Sequence, residues 1–89
     1  MNKQALPTIH TNGNSGPEML AAYETAHLAF QLFVKAFNQI DFNARNYYVN
    51  GDSAWTEAVA ARTHICKNLK EAQDYLEEHL NHVFDQVNR

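Results

Sequence analysis

Phe42-Asn43-Ala44-Arg45-Asn46-Tyr47-Tyr48-Val49-Asn50-Gly51-Asp52-Ser53 separates two stretches of helical periodicity. Connections between helices usually run about 2–8 residues of glycine and small polar types. This one carries a phenylalanine, two tyrosines, an arginine and three asparagines. Asparagine and aspartate can hold turns through their own side chains. Aromatic rings and a guanidinium are instead what a site uses to stack a planar ring or grip a phosphate. Such a connector is either a packed plug or a recognition surface.

Upstream of it, Ser15-Gly16-Pro17-Glu18 reads as a helix start. Ser15 can accept a first-turn amide, Glu18 completes a capping box, and proline suits a first turn that needs no amide donor. The helix is expected over 17–40, with Leu20, Tyr23, His27, Phe30, Val34 and Phe37 spaced by three and four. Downstream, Asp52 or Ser53 is expected to cap a second helix over 53–88. Its stripe is Trp55, Ala58, Arg62, Ile65, Leu69, Ala72, Leu76, His79 and Val83. Residues 1–16 hold turn and extended chemistry, including Pro7 and Gly13, and read as an arm. Residues 1–89 are therefore expected to be one all-α domain, an antiparallel two-helix hairpin with an extended or short-helical arm, joined by a connector at 41–52.

The first helix is too apolar for one partner. Between residues 17 and 40 its charges are Glu18, Glu24 and Lys35, and a second set, Met19, Ala26, Phe33 and Ile40, lies beside the main stripe. A single neighbour covers a stripe roughly 100° wide, and each exposed Phe or Leu forgoes about 1.5–3 kcal/mol of burial. The second helix is also longer, about 54 Å against about 36 Å at 1.5 Å per residue. Its end, from Glu77 onward, overhangs unless residues 1–16 or another protomer lie against it. Assembly into an oligomeric bundle, with Phe30, Phe33 or Phe37 buried between chains, is the expectation.

Bulk composition excludes several classes. A net charge of −3 with His neutral lacks the basic face that a DNA or RNA backbone binder needs. No stretch approaches the ~20 apolar residues of a membrane span. Met1-Asn2-Lys3-Gln4-Ala5-Leu6 lacks the apolar core of a secretory signal. Cys66 is the single cysteine, so no intrachain disulfide forms, and a reducing cytosolic setting fits.

The reactive side chains read as structural. His79 and His82 share a helix face, but bundle metal sites want Glu-x-x-His on more than one helix, and the first helix offers only His27. No metal or other cofactor is expected. Cys66, beside Ile65 in mid-helix, reads as a buried inert thiol, and Glu71, Asp74, Glu77 and Glu78 read as solvated. An enzyme is not expected. Arg62, on the stripe between Ala58 and Ile65, either packs its stem with its head at the edge or contacts an anion. Arg45 either caps loop carbonyls or reaches a ligand. Tyr47 and Tyr48 are adjacent and point different ways, so one is structural and one available. A second polar cluster, Ile9-His10-Thr11-Asn12-Gly13-Asn14-Ser15, lies about 36 Å away at the other end of the first helix. Only an assembly of chains could join the two clusters.

His10-Thr11-Asn12-Gly13-Asn14-Ser15, Pro17-Glu18-Met19-Leu20, and Phe42 to Gly51 followed by Trp55 resemble a group of small phage hairpin proteins, the anti-CBASS cyclic-nucleotide sponges. Their hairpin domain is shared with a Thoeris anti-defence sponge. The resemblance implies a homo-oligomer, typically a hexamer, in the cytoplasm of the phage's host. It implies sequestration of cyclic di- or trinucleotides, or of a cyclic ADP-ribose derivative, without cleavage. Pockets between protomers would stack bases on an aromatic and hold phosphates with basic residues. The ligand contacts expected on this chain are His10, Asn12, Gly13, Asn43, Arg45, Asn46, Tyr47, Tyr48 and Arg62. One departure stands out: the first helix has no lysine before Lys35, so phosphates would depend on Arg45, Arg62, helix amino termini or backbone amides. The rival reading is a phage accessory protein that docks its hairpin face onto a host protein.

Overall fold

Residues 5–88 are described by the computed structural model. Ser15 holds an extended backbone, φ −64° and ψ 151°, and its hydroxyl oxygen accepts the Glu18 amide at 3.2 Å. The first helix, α1, follows over Gly16–Asn38 with Pro17 in its opening turn. It stops short of residue 40 because its last turn tightens. The Gln39 amide donates to the Ala36 carbonyl at 3.1 Å, and Ile40 to Phe37 at 3.2 Å, bonds that satisfy terminal carbonyls and end the α-helical ladder.

Two 3₁₀ turns, Ala44–Asn46 and Tyr48–Asn50, build the connector. Asn43 starts the first, accepting the Arg45 amide on Oδ1 at 3.0 Å. Gly51 ends the second at φ 121° and ψ 167°, a region that is essentially closed to side-chain-bearing residues. The second helix, α2, runs over Ala54–Val87. Ser53 occupies its cap position, but the expected side-chain cap from Asp52 or Ser53 is not made. Ser53 has a helical backbone, φ −90° and ψ −8°, whereas a capping oxygen reaches the first turn from an extended one.

The pair is antiparallel, and its interior rows on α1 are Leu20, Tyr23, His27, Phe30, Val34 and Phe37, all half-buried. On α2, Ala58, Arg62, Leu69, Leu76, His79 and Val83 face them as the spacing indicated, but Ile65 and Ala72 turn outward and Gln73 turns in. Ile65 and Ala72 are the middle members of the seven-residue row that runs from Ala58 to His79, so the contact narrows in mid-helix and widens again at both ends. Cys66 turns outward too: it is exposed and free, not buried.

Full burial is reached only at the end where the arm adds a third layer. Val83 is 0% exposed and His79 3%. The Ile9 amide donates to Gln86 Oε1 at 2.9 Å, and Gln86 Nε2 donates to the Pro7 carbonyl at 3.0 Å. A side chain at Gly16 would meet Ile9 at 3.0 Å and Val87 at 3.1 Å, so glycine there lets arm and helices close together. The arm thus covers the overhanging end of α2. Of the arm's expected span, residues 1–4 lie outside the described residues.

His79 fills this layer with a polar ring. Its Nδ1–H donates to the Tyr75 carbonyl at 2.8 Å, and its ring stacks on Tyr75 with centroids 3.9 Å apart. Nearby, Gln73 donates to the Glu77 carboxylate at 3.0 Å, and His27 Nε2 lies 3.6 Å from it. The Gln73 bond first, and His27 second, hold the Glu77 carboxyl below the ordinary glutamate range against the opposing effect of desolvation. Glu77 thus sits at the rim of the helix interface, with its side chain 42% exposed. No helix among the described residues is long and apolar enough to cross a membrane.

Candidate functional site

At the connector end the aromatic residues collect into one cluster. Phe42 lies against Trp55 with centroids 4.8 Å apart, and Tyr47 meets Phe42 edge-on at 5.6 Å and Trp55 at 5.7 Å. The first 3₁₀ turn points Tyr47 inward, and the second leaves the next residue outside: Tyr48 is 66% exposed. Tyr47 is thus the structural tyrosine and Tyr48 the available one.

Arg62 reaches this cluster from α2. Its guanidinium carbon sits 4.2 Å over the Phe37 ring and 4.9 Å over the Phe42 ring. Cation–π contacts of this kind are worth about 0.5–1 kcal/mol at exposed sites and more when dehydrated. A guanidinium carries five N–H donors in a planar fork, the geometry that matches a phosphate or carboxylate. Arg62 makes no ion pair among the described residues.

Arg62 lines an open groove of about 450 Å³, within the roughly 300–1,000 Å³ typical of small-molecule sites. Its walls are mostly apolar, with Phe37, Ile40, Phe42 and Ile65 among them, and its charged groups are Arg62 and Asp41. Tyr47 contributes its ring to the same lining. Sequence reasoning selected Arg62 and Tyr47 but missed Phe37, Phe42, Ile40 and Asp41. Phe37 was the recoverable one, since it ends the interior row of α1 opposite the only cation on the α2 stripe.

The remaining expected residues are placed elsewhere. Asn43 and Arg45 form a local unit, with Asn43 Oδ1 accepting from the Arg45 amide at 3.0 Å and from its Nε at 3.4 Å. Arg45 and Asn46 are exposed on the first 3₁₀ turn of the connector. His10, Asn12 and Gly13 lie in a turn of the arm, closed by the Gly13 amide donating to the His10 carbonyl at 3.2 Å. The His10 ring rests over Gly13, where a Cβ would meet it at 3.0 Å. Arm and connector stand at opposite ends of a molecule 59 Å long, so a single chain does not bring them together. A groove at the arm end, lined by Asn14, Glu18, Met19, Ala22 and Tyr23, has a carboxylate and no cation, so a phosphate there would need a donor from another chain.

Among the described residues no group of three or more His, Cys, Asp or Glu is placed to hold a metal ion. Comparison with protein-family models, with characterised proteins and with solved structures gives no match.

Proposed function

We propose that the protein is an oligomeric sponge for cyclic nucleotide messengers, made by a phage and acting in the host cytoplasm to withhold a defence signal. The ligand is a cyclic di- or trinucleotide, or a cyclic ADP-ribose derivative, and it is held without being cleaved. The observation that carries this reading is Arg62, whose guanidinium packs on Phe37 and Phe42 and which lines an aromatic-walled groove. Such a site is suited to a ligand that combines flat rings with a fixed anion.

Assembly is part of the proposal. The chain exposes 6776 Å², whereas a folded monomer of its 10.2 kDa exposes about 5,300 Å². The excess exceeds the roughly 800 Å² that each partner of a stable interface buries. Leu28, Leu32 and Phe33 leave exposed apolar surface on α1. In a homo-oligomer, which the resemblance makes a hexamer, that surface is covered and the arm of one chain can approach the connector of another.

Thermal melting of purified protein against a panel of cyclic dinucleotides, cyclic trinucleotides and cyclic ADP-ribose derivatives tests the reading. A ligand that binds only the folded state adds about 2.7 kcal/mol at one hundred times Kd, and chromatography should return it intact. A time-dependent linear product would replace the sponge with a phosphodiesterase. The same apolar surface also favours docking on a host protein. That reading gains if no member of the panel raises the melting temperature while a host protein co-purifies at fixed stoichiometry.

A further inference from the structure

Asp41 follows the carboxyl end of α1 by three residues, beyond the last turn within which the helix dipole acts. It is exposed and makes no ion pair among the described residues, although it lines the same groove as Arg62. A charged side chain that lines a groove and pairs with no described residue is free to meet a ligand there.

The groove therefore presents one fork of donors and one pair of acceptors across walls of Phe37, Ile40, Phe42 and Ile65. A carboxylate only accepts hydrogen bonds. Guanine turns two parallel donors outward on its pairing edge, the ring N1–H and the exocyclic amine. Adenine offers one donor and one acceptor there, and its acceptor would face a carboxylate oxygen. Cytosine and uracil also present an acceptor on that edge. Resting on the cyclic-nucleotide reading, we infer that Asp41 is the base-reading residue of this groove and selects messengers that contain guanine, while Arg62 holds a phosphate.

Calorimetry of the full chain with cyclic di-GMP and cyclic di-AMP, which share sugar, linkage and charge, tests this. Wild type should favour cyclic di-GMP by about tenfold or more, the scale of one bidentate base contact. In Asp41→Asn the carboxamide offers one donor and one acceptor, which matches adenine, so the preference should vanish or reverse. Circular dichroism of the variant should be unchanged, as expected for an exposed side chain. Equal wild-type affinities, a guanine preference that persists in Asp41→Asn, or an equal loss for both ligands in the variant would each overturn the assignment while leaving the sponge reading standing. Failure of both dinucleotides and of a cyclic trinucleotide to bind would overturn the sponge reading and the assignment with it.

Discussion

On the proposed reading, Arg62 serves fold and ligand at once. It is half-buried, its guanidinium packs over Phe37 and Phe42, and it lines the groove. Arg62→Ala should weaken nucleotide binding by about 1.5–3 kcal/mol per lost charged hydrogen bond. The same change should lower thermal stability only by the lost ring contacts, about 0.5–1 kcal/mol. Calorimetry and melting of one sample separate the two effects. The adjacent tyrosines make a sharper pair. Tyr47 packs on Phe42 and Trp55, so Tyr47→Ala should destabilise by at least about 0.5–1.5 kcal/mol for each aromatic pair removed. Tyr48 is largely exposed, so Tyr48→Ala should move stability by no more than about 0.5 kcal/mol. If Tyr48 stacks on a base, binding falls by about 1–3 kcal/mol. A Tyr48→Ala protein that melts far below wild type would contradict this division of roles.

At the scale of the elements, the contact between α1 and α2 has a polar rim at Gln73, Glu77 and His27, beside the buried His79. Glu77 is held below its ordinary range by the Gln73 bond and then by His27. In the acid window the unfolded chain therefore binds more protons at this position than the folded one, and stability rises with pH there. The contribution is present above the ordinary glutamate range and is lost as pH falls through the lowered folded value. Denaturant titrations across that window should show Glu77→Gln losing less stability on acidification than wild type. The difference should be modest, because the Glu77 side chain is 42% exposed and solvent screens the interaction. An identical acid dependence in the two proteins would remove Glu77 from the account of pairing. The sequence showed the helices through their period and the Ser15 cap, but not this rim. Periodicity tells which face turns inward, not which polar groups meet across the contact.

For the whole molecule, the unresolved tension is a hairpin with one interior row per helix and an α1 that is apolar well beyond it. Phe33 is 50% and Leu32 61% exposed in the single chain, so neither is needed to hold the hairpin together. Phe33→Glu should therefore leave the helical signal intact. It should disperse the assembly, because a charge buried without a partner carries a heavy desolvation penalty. Light scattering at micromolar concentration distinguishes a wild-type particle larger than a dimer from a variant near 10.2 kDa. Wild type that stays a folded monomer would sink the proposed assembly, and the reach of the arm to a second chain's connector with it.

The sequence by itself determined the two helices, the capping Ser15, the connector between them and the surplus of apolar surface on α1. Each follows from spacing and local chemistry within a few turns of chain. Tertiary structure alone decided which tyrosine packs, that Ile65, Ala72 and Cys66 turn outward, and that residues 7–16 clasp the end of α2 through Gln86. It also placed Asp41 in one groove with Arg62, two residues twenty-one positions apart in the chain. Which rows of a long helix stay in contact and which distant segments meet depend on how rigid bodies dock, and no local pattern carries that information.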